Sequence, residues 1–106
     1  LDPGDQDIHK TIILQADYAL LPEDNSSIFY CYSDVDIVIS LDGNRTYPEG
    51  FEVTVIRLGP HNFTLADSAA YLEFQSKNNK VSSTVEHDAV RLIKLDETWV
   101  SLLWYA

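Results

Sequence analysis

The sequence predicts an all-β fold, an antiparallel β-sandwich or flattened barrel of about eight or nine short strands behind an extended N-terminal arm. Apolar residues recur with a period of two: Val35, Ile37, Ile39 and Leu41 share one face, with Asp36 and Ser40 on the other. Phe51, Val53 and Val55 alternate in the same way with Glu52 and Thr54. Val, Ile, Thr, Tyr and Phe are dense in these segments, as a pleated, half-buried surface prefers. Turn residues separate them at strand-like spacing.

Taken in order, residues 1–10 (LDPGDQDIHK) hold three Asp, a Pro and a Gly with no apolar period. They read as an extended arm or linker, and residues 11–106 as a single β-sandwich domain. The expected strands fall in Thr11–Ala16, Ile28–Tyr32, Val35–Leu41, Phe51–Leu58 and Asn62–Leu65, then in Ala70–Phe74, Val81–Val85, Asp88–Leu95 and Thr98–Tyr105. Pro48-Glu49-Gly50 suits a type I turn, and Lys77–Lys80 a hairpin tip with Asn at its centre. Leu65–Leu72 is a short, poorly capped helix-like stretch. The last strand is apolar on both faces, with Val100, Leu102 and Trp104 on one and Trp99, Leu103 and Tyr105 on the other. Either it is central and covered on both sides, or its second face meets another subunit. Trp99, Leu103, Trp104 and Tyr105 are the subunit-contact candidates.

Composition excludes several function classes. Seventeen Asp+Glu against seven Lys+Arg in 106 residues give a formal net charge of −10. That argues against nucleic acid or anionic lipid as partner. No apolar run approaches the ~20 residues that span a bilayer. The single Cys31, between Tyr30 and Tyr32, makes no intrachain disulfide and reads as a buried, inert thiol. The chain has no Met and opens Leu1-Asp2-Pro3, so Leu1 reads as the start of a piece trimmed from something longer.

No catalytic, cofactor or metal constellation emerges. His9, His61 and His87 are scattered, with nothing in their spacing to close on zinc. Asp42-Gly43-Asn44 continues into Arg45-Thr46-Tyr47-Pro48 without the acidic positions of a calcium loop, and reads as a solvated turn. The serines lack a nucleophile elbow, and the four glycines make no phosphate loop. The sequons at Asn25, Asn44 and Asn62 read as turn residues. Tyr47 and Tyr71 are the aromatics that would contact a glycan or partner if they are exposed, although core packing also explains them.

Three stretches resemble the small β domain of tailed-bacteriophage virion proteins, the type found at tail-fibre C-termini and in capsid decoration. The first is Asp17-Tyr18-Ala19-Leu20-Leu21-Pro22-Glu23-Asp24, followed by the apolar strand from Asp36 to Leu41. The second runs from Tyr47-Pro48-Glu49-Gly50 through Phe51–Gly59 to Asn62-Phe63-Thr64-Leu65. The third is Ala89–Leu95 with Asp96-Glu97-Thr98-Trp99, similar to a closing hairpin with a tryptophan just beyond an acidic turn. The chain departs from the family at its apolar end, Ser101–Ala106, and at Pro60-His61. The resemblance implies a non-enzymatic module, commonly homotrimeric, on the virion surface. Its partners would be itself, the major capsid protein or tail proteins, and a host surface glycan. It would serve as a capsid decoration (cement) protein or as a tail-fibre or spike domain. The alternative is a carbohydrate-binding β-sandwich module of an extracellular protein.

Overall fold

The computed structural model describes residues 10–42, 44–67 and 73–105. The described residues form the strands β1 (Thr11–Leu14), β2 (Tyr18–Leu20), β3 (Ser27–Cys31), β4 (Ile37–Leu41) and β5 (Glu52–Arg57). They continue with β6 (Phe63–Asp67), β7 (Glu73–Ser76), β8 (Ala89–Lys94) and β9 (Trp99–Tyr105). Short 3-10 turns occupy Pro22–Asp24 and Lys77–Asn79. The strands lie in two sheets, ordered β1-β3-β5-β8-β9-β7 and β2-β4-β6. The all-β expectation holds.

The expected antiparallel arrangement does not. Among the described strands β1 pairs with β3, β3 with β5, β2 with β4, β4 with β6 and β7 with β9, all in parallel. Only β5–β8 and β8–β9 are antiparallel. A period of two fixes the face each side chain takes but not the direction of the strand. From β1 to β6 successive strands alternate between the sheets, so each lands beside the strand two before it and runs the same way. The crossover that parallel pairing needs is supplied by the strand of the opposite sheet. The winding stops after β6: β7 takes the far edge of the larger sheet, β8 pairs with β5, and a tight turn then returns the chain as the β8–β9 hairpin.

Inward side chains from both sheets join one buried core. Phe29, Val53, Val55, Val90, Leu92, Val100 and Leu102 of the larger sheet meet Leu20, Ile37, Ile39, Leu41, Phe63 and Leu65 of the smaller. Each such side chain contributes roughly 1.5–3 kcal/mol when fully buried. Ring pairs span the gap between sheets: Tyr18 and Phe29 at 5.4 Å, and Phe63 stacked on Trp104 at 5.8 Å.

The turns are partly as expected. Phe51 N–H donates to Pro48 O at 3.1 Å, but Gly50 takes φ +81°, the mark of a type II turn and not type I. Lys77–Lys80 is not a hairpin tip. It ends β7 as a 3-10 turn, with Asn78 and Asn79 at φ +58° and +57°, which Asn tolerates. The Val81–Val85 segment contributes a single bridge, Thr64 to Ser82. The closing hairpin forms around Asp96, whose Oδ1 accepts the N–H groups of Thr98 and Trp99, each at 2.8 Å. Of the helix-like stretch, Leu65–Asp67 belongs to β6 and 68–72 lie outside the described residues. Residues 1–9 of the expected arm also lie outside them. Its last residue, Lys10, accepts the N–H of Ile28 at 2.8 Å and so begins the first ladder.

Candidate functional site

The outward face of the six-stranded sheet carries an apolar surface that no other described element covers. In β9, Val100 and Leu102 point into the core, while Trp99, Leu103 and Tyr105 point out and are 38%, 47% and 54% exposed. The strand register extends this face sideways. Ile13 lies beside Tyr30, Tyr30 beside Ile56, Ile56 beside Ala89, and Ala89 beside Tyr105. A second row runs Thr11, Ile28, Thr54, Arg91, Leu103. Ile13, at the far edge, is 64% exposed. These rows cross five strands and are nearly all apolar or hydroxyl-bearing.

Charge on this face is close to balanced. In the middle of it Arg91 grips Glu52 through both forks: its Nε donates to Oε2, and its Nη2 donates to Oε1 at 2.9 Å. The hydrogen bond and charge of Glu52 hold the guanidinium above its ordinary pKa. Beside the pair lies a shallow depression of about 250 Å³, lined by Ile28, Thr54 and Tyr105 among others. A further acid on the same face, outside these two rows, is Glu73, beside Trp99. On a chain of net charge −10 this face is a nearly neutral, apolar island, the kind of surface that marks an interaction site.

The individual candidates divide. Trp99, Leu103 and Tyr105 share the exposed face. Trp104 is turned the other way: its ring stacks on Phe63, Lys80 Nζ sits 4.4 Å from the ring centroid, and its Nε1–H donates to Lys80 O at 3.0 Å. Its contacts are internal because alternation puts it on the core side with Val100 and Leu102. Tyr47 is corrected as a glycan contact. It is 3% exposed, packs on Phe51 with ring centroids 5.0 Å apart, donates its hydroxyl proton to Leu20 O, and accepts from Asp42 N–H at 2.8 Å. Burial pushes its phenol pKa up. Tyr71 lies outside the described residues.

Sequence reasoning missed Ile13, Ile28, Tyr30 and Ile56 as parts of the same face. The signal was present in Ile12-Ile13-Leu14, apolar on both sides of a strand just as β9 is. Elsewhere polar groups close on themselves. Asp42 pairs with Arg45 at 3.4 Å and accepts Asn44 N–H at 2.9 Å, which ties up the carboxylate in its own turn. Asn25 accepts Glu52 N–H, and Asn62 accepts from Arg57 and Ser83, so these sequon side chains hold turns. Cys31 is buried, and desolvation pushes its thiol up to about 12, far from the thiolate that would react. Among the described residues no helix is long and apolar enough to cross a membrane.

Compared with protein-family models, curated proteins and solved structures, the chain matches none.

Proposed function

We propose that the chain is a non-enzymatic structural module of a bacteriophage virion. It assembles as a homotrimer through the outer face of its six-stranded sheet and stands on the particle surface. The observation that carries self-association is the apolar, charge-balanced face around Leu103 and Tyr105 on an otherwise acidic chain. Like-charged copies repel at long range, and this broad apolar face is where they can meet. The virion setting rests on the resemblance of the three stretches from Asp17 to Trp99. Their turns fall between β2 and β3, before β5, and between β8 and β9. The two sheets are read as a sandwich, with β1 to β6 coiled through both layers. Such a module acts as a capsid decoration (cement) protein or as a tail-fibre or spike domain. Its partners are its own copies, coat or tail proteins, and a host surface glycan.

Sedimentation at micromolar concentration tests the assembly. The expected mass is about 36 kDa, three copies of the 12.0 kDa chain. Leu103→Glu places a carboxylate in the contact and returns the mass to that of one chain without unfolding it, since Leu103 lies on the solvent side. A native protein that sediments as a single chain sinks the proposal. Cryo-EM of the particle separates the two locations, because density confined to the tail removes capsid decoration.

A further inference from the structure

The parallel partner of β9 stops early. The last pairing of β7 sets Ser76 opposite Leu102, whereas β9 runs on to Tyr105. Among the described residues no strand pairs with the free side of Leu103–Tyr105. An open groove of about 710 Å³ lies at that step, lined by Gln75, Lys77, Asn78, Lys80, Leu103 and Trp104, with no acid among its lining residues. This is unusual ground on a chain of net charge −10. Elsewhere Arg57 and Lys94 are buried, Arg45 and Arg91 are paired with acids, and Lys10 is exposed at the opposite edge of the sheet, beside β1. Here Lys77 is exposed at the lip. Lys80, held 3.0 Å from Asp88, faces the ring of Trp104. A free strand edge beside the exposed Lys77 ammonium suits an extended acidic peptide, which adds as a strand and pairs its carboxylates with that lysine.

The chain carries such a peptide. Residues 1–9 (LDPGDQDIH) hold three Asp and no Lys or Arg. We propose that this acidic N-terminal segment of one copy docks in the Lys77–Trp104 groove of a neighbouring copy, lying along the free edge of β9. The exchange is between copies because of distance. Lys10 enters β1 at one edge of the sheet and the groove sits at the other, beyond β3, β5, β8 and β9. Crossing that width takes roughly 24 Å at the strand spacing of a sheet, and nine extended residues span roughly 30 Å. Within one chain little would remain to fill the groove, and the carboxylates would have to cross the apolar outer face, where desolvation opposes them. A neighbour's segment meets neither obstacle. This docking rests on the reading that copies associate, and it adds the contact that orders them.

A charge-reversal exchange on the full chain tests it, with association constants measured by sedimentation at fixed low ionic strength. Lys77→Glu alone, and Asp5→Lys with Asp7→Lys alone, each weaken association about tenfold. Mixing the two variant chains recovers part of the lost association, because in a ring of three up to two of the three segments then meet a groove of opposite sign. Circular dichroism of each variant keeps these results separate from misfolding, and Lys77 lies exposed on a turn. Native association with no loss in either variant overturns the docking and leaves the sheet contact standing. Loss in both variants without recovery on mixing overturns the exchange between copies. A native protein that does not associate at all overturns both proposals.

Discussion

Asp88 shows how single polar residues organise the loop before β8. It is 2% exposed, and its Oδ2 accepts from Lys80 Nζ at 3.0 Å, Thr84 N–H at 2.8 Å and Val85 N–H at 3.3 Å. Burial alone would raise its pKa. The backbone N–H of Thr84, the ammonium of Lys80 and the N–H of Val85 outweigh that and bring it from 3.8 down to about 2. A depressed folded-state pKa means stability that is fully present above the unfolded value and is lost as pH falls from about 4 towards 2. The shift corresponds to roughly 2 kcal/mol. Urea unfolding of the native chain and of Asp88→Asn checks this. The two should differ by roughly that amount at pH 7 and converge near pH 2. A gap that persists at pH 2 means the charge of Asp88 is not what holds the loop. Arg57 plays the matching part on the adjoining turn. Buried at the end of β5, its guanidinium donates to Gly59 O at 2.9 Å, Pro60 O at 2.7 Å and Asn62 Oδ1 at 2.8 Å. Neither role is visible in sequence: the partners lie nearby in the chain, but it is the path of each loop, which no motif marks, that folds them onto the side chain.

The strands were legible in the sequence, but their directions were not. Ile37, Ile39 and Leu41 turn inward together, as alternation requires, and Val35 drops out because it lies in the loop before β4. Tyr18–Leu20 escaped notice as a strand because three residues carry too little of a period to detect. Parallel pairing escaped for a different reason. A turn such as Asp34-Val35-Asp36 looks the same whether it reverses the chain within a sheet or carries it across to the other. In the structure it carries β3 in one sheet to β4 in the other. The candidate face was half legible: β9 announced itself by two apolar faces, while Ile28 and Ile56 join it only through register. The winding has a direct test. Nuclear Overhauser contacts should link Val38 with Thr64 and Ser40 with Ala66, both pairs running in one direction. Contacts of Val38 with Ala66 and Ser40 with Thr64 would mean a reversed strand, and the coil would be wrong.

At the scale of the molecule, charge and apolar surface oppose each other. A net charge of −10 favours dispersal, whereas the outer sheet face favours contact and places few charges where copies would meet. Salt separates the two tendencies. Screening shortens the reach of repulsion, from a Debye length of about 30 Å at 0.01 M to about 8 Å at 0.15 M. Burial of apolar area around Ile13, Tyr30, Leu103 and Tyr105 is not weakened by that change. Association of the native chain should therefore tighten as salt rises over this range. The charged contact of the N-terminal segment with Lys77 weakens in the same range, so Lys77→Glu, which lacks it, should tighten more steeply than the native chain. Sedimentation across a salt series reads both slopes. Association that loosens with salt would mean that charged contacts, and not the sheet face, hold the copies together.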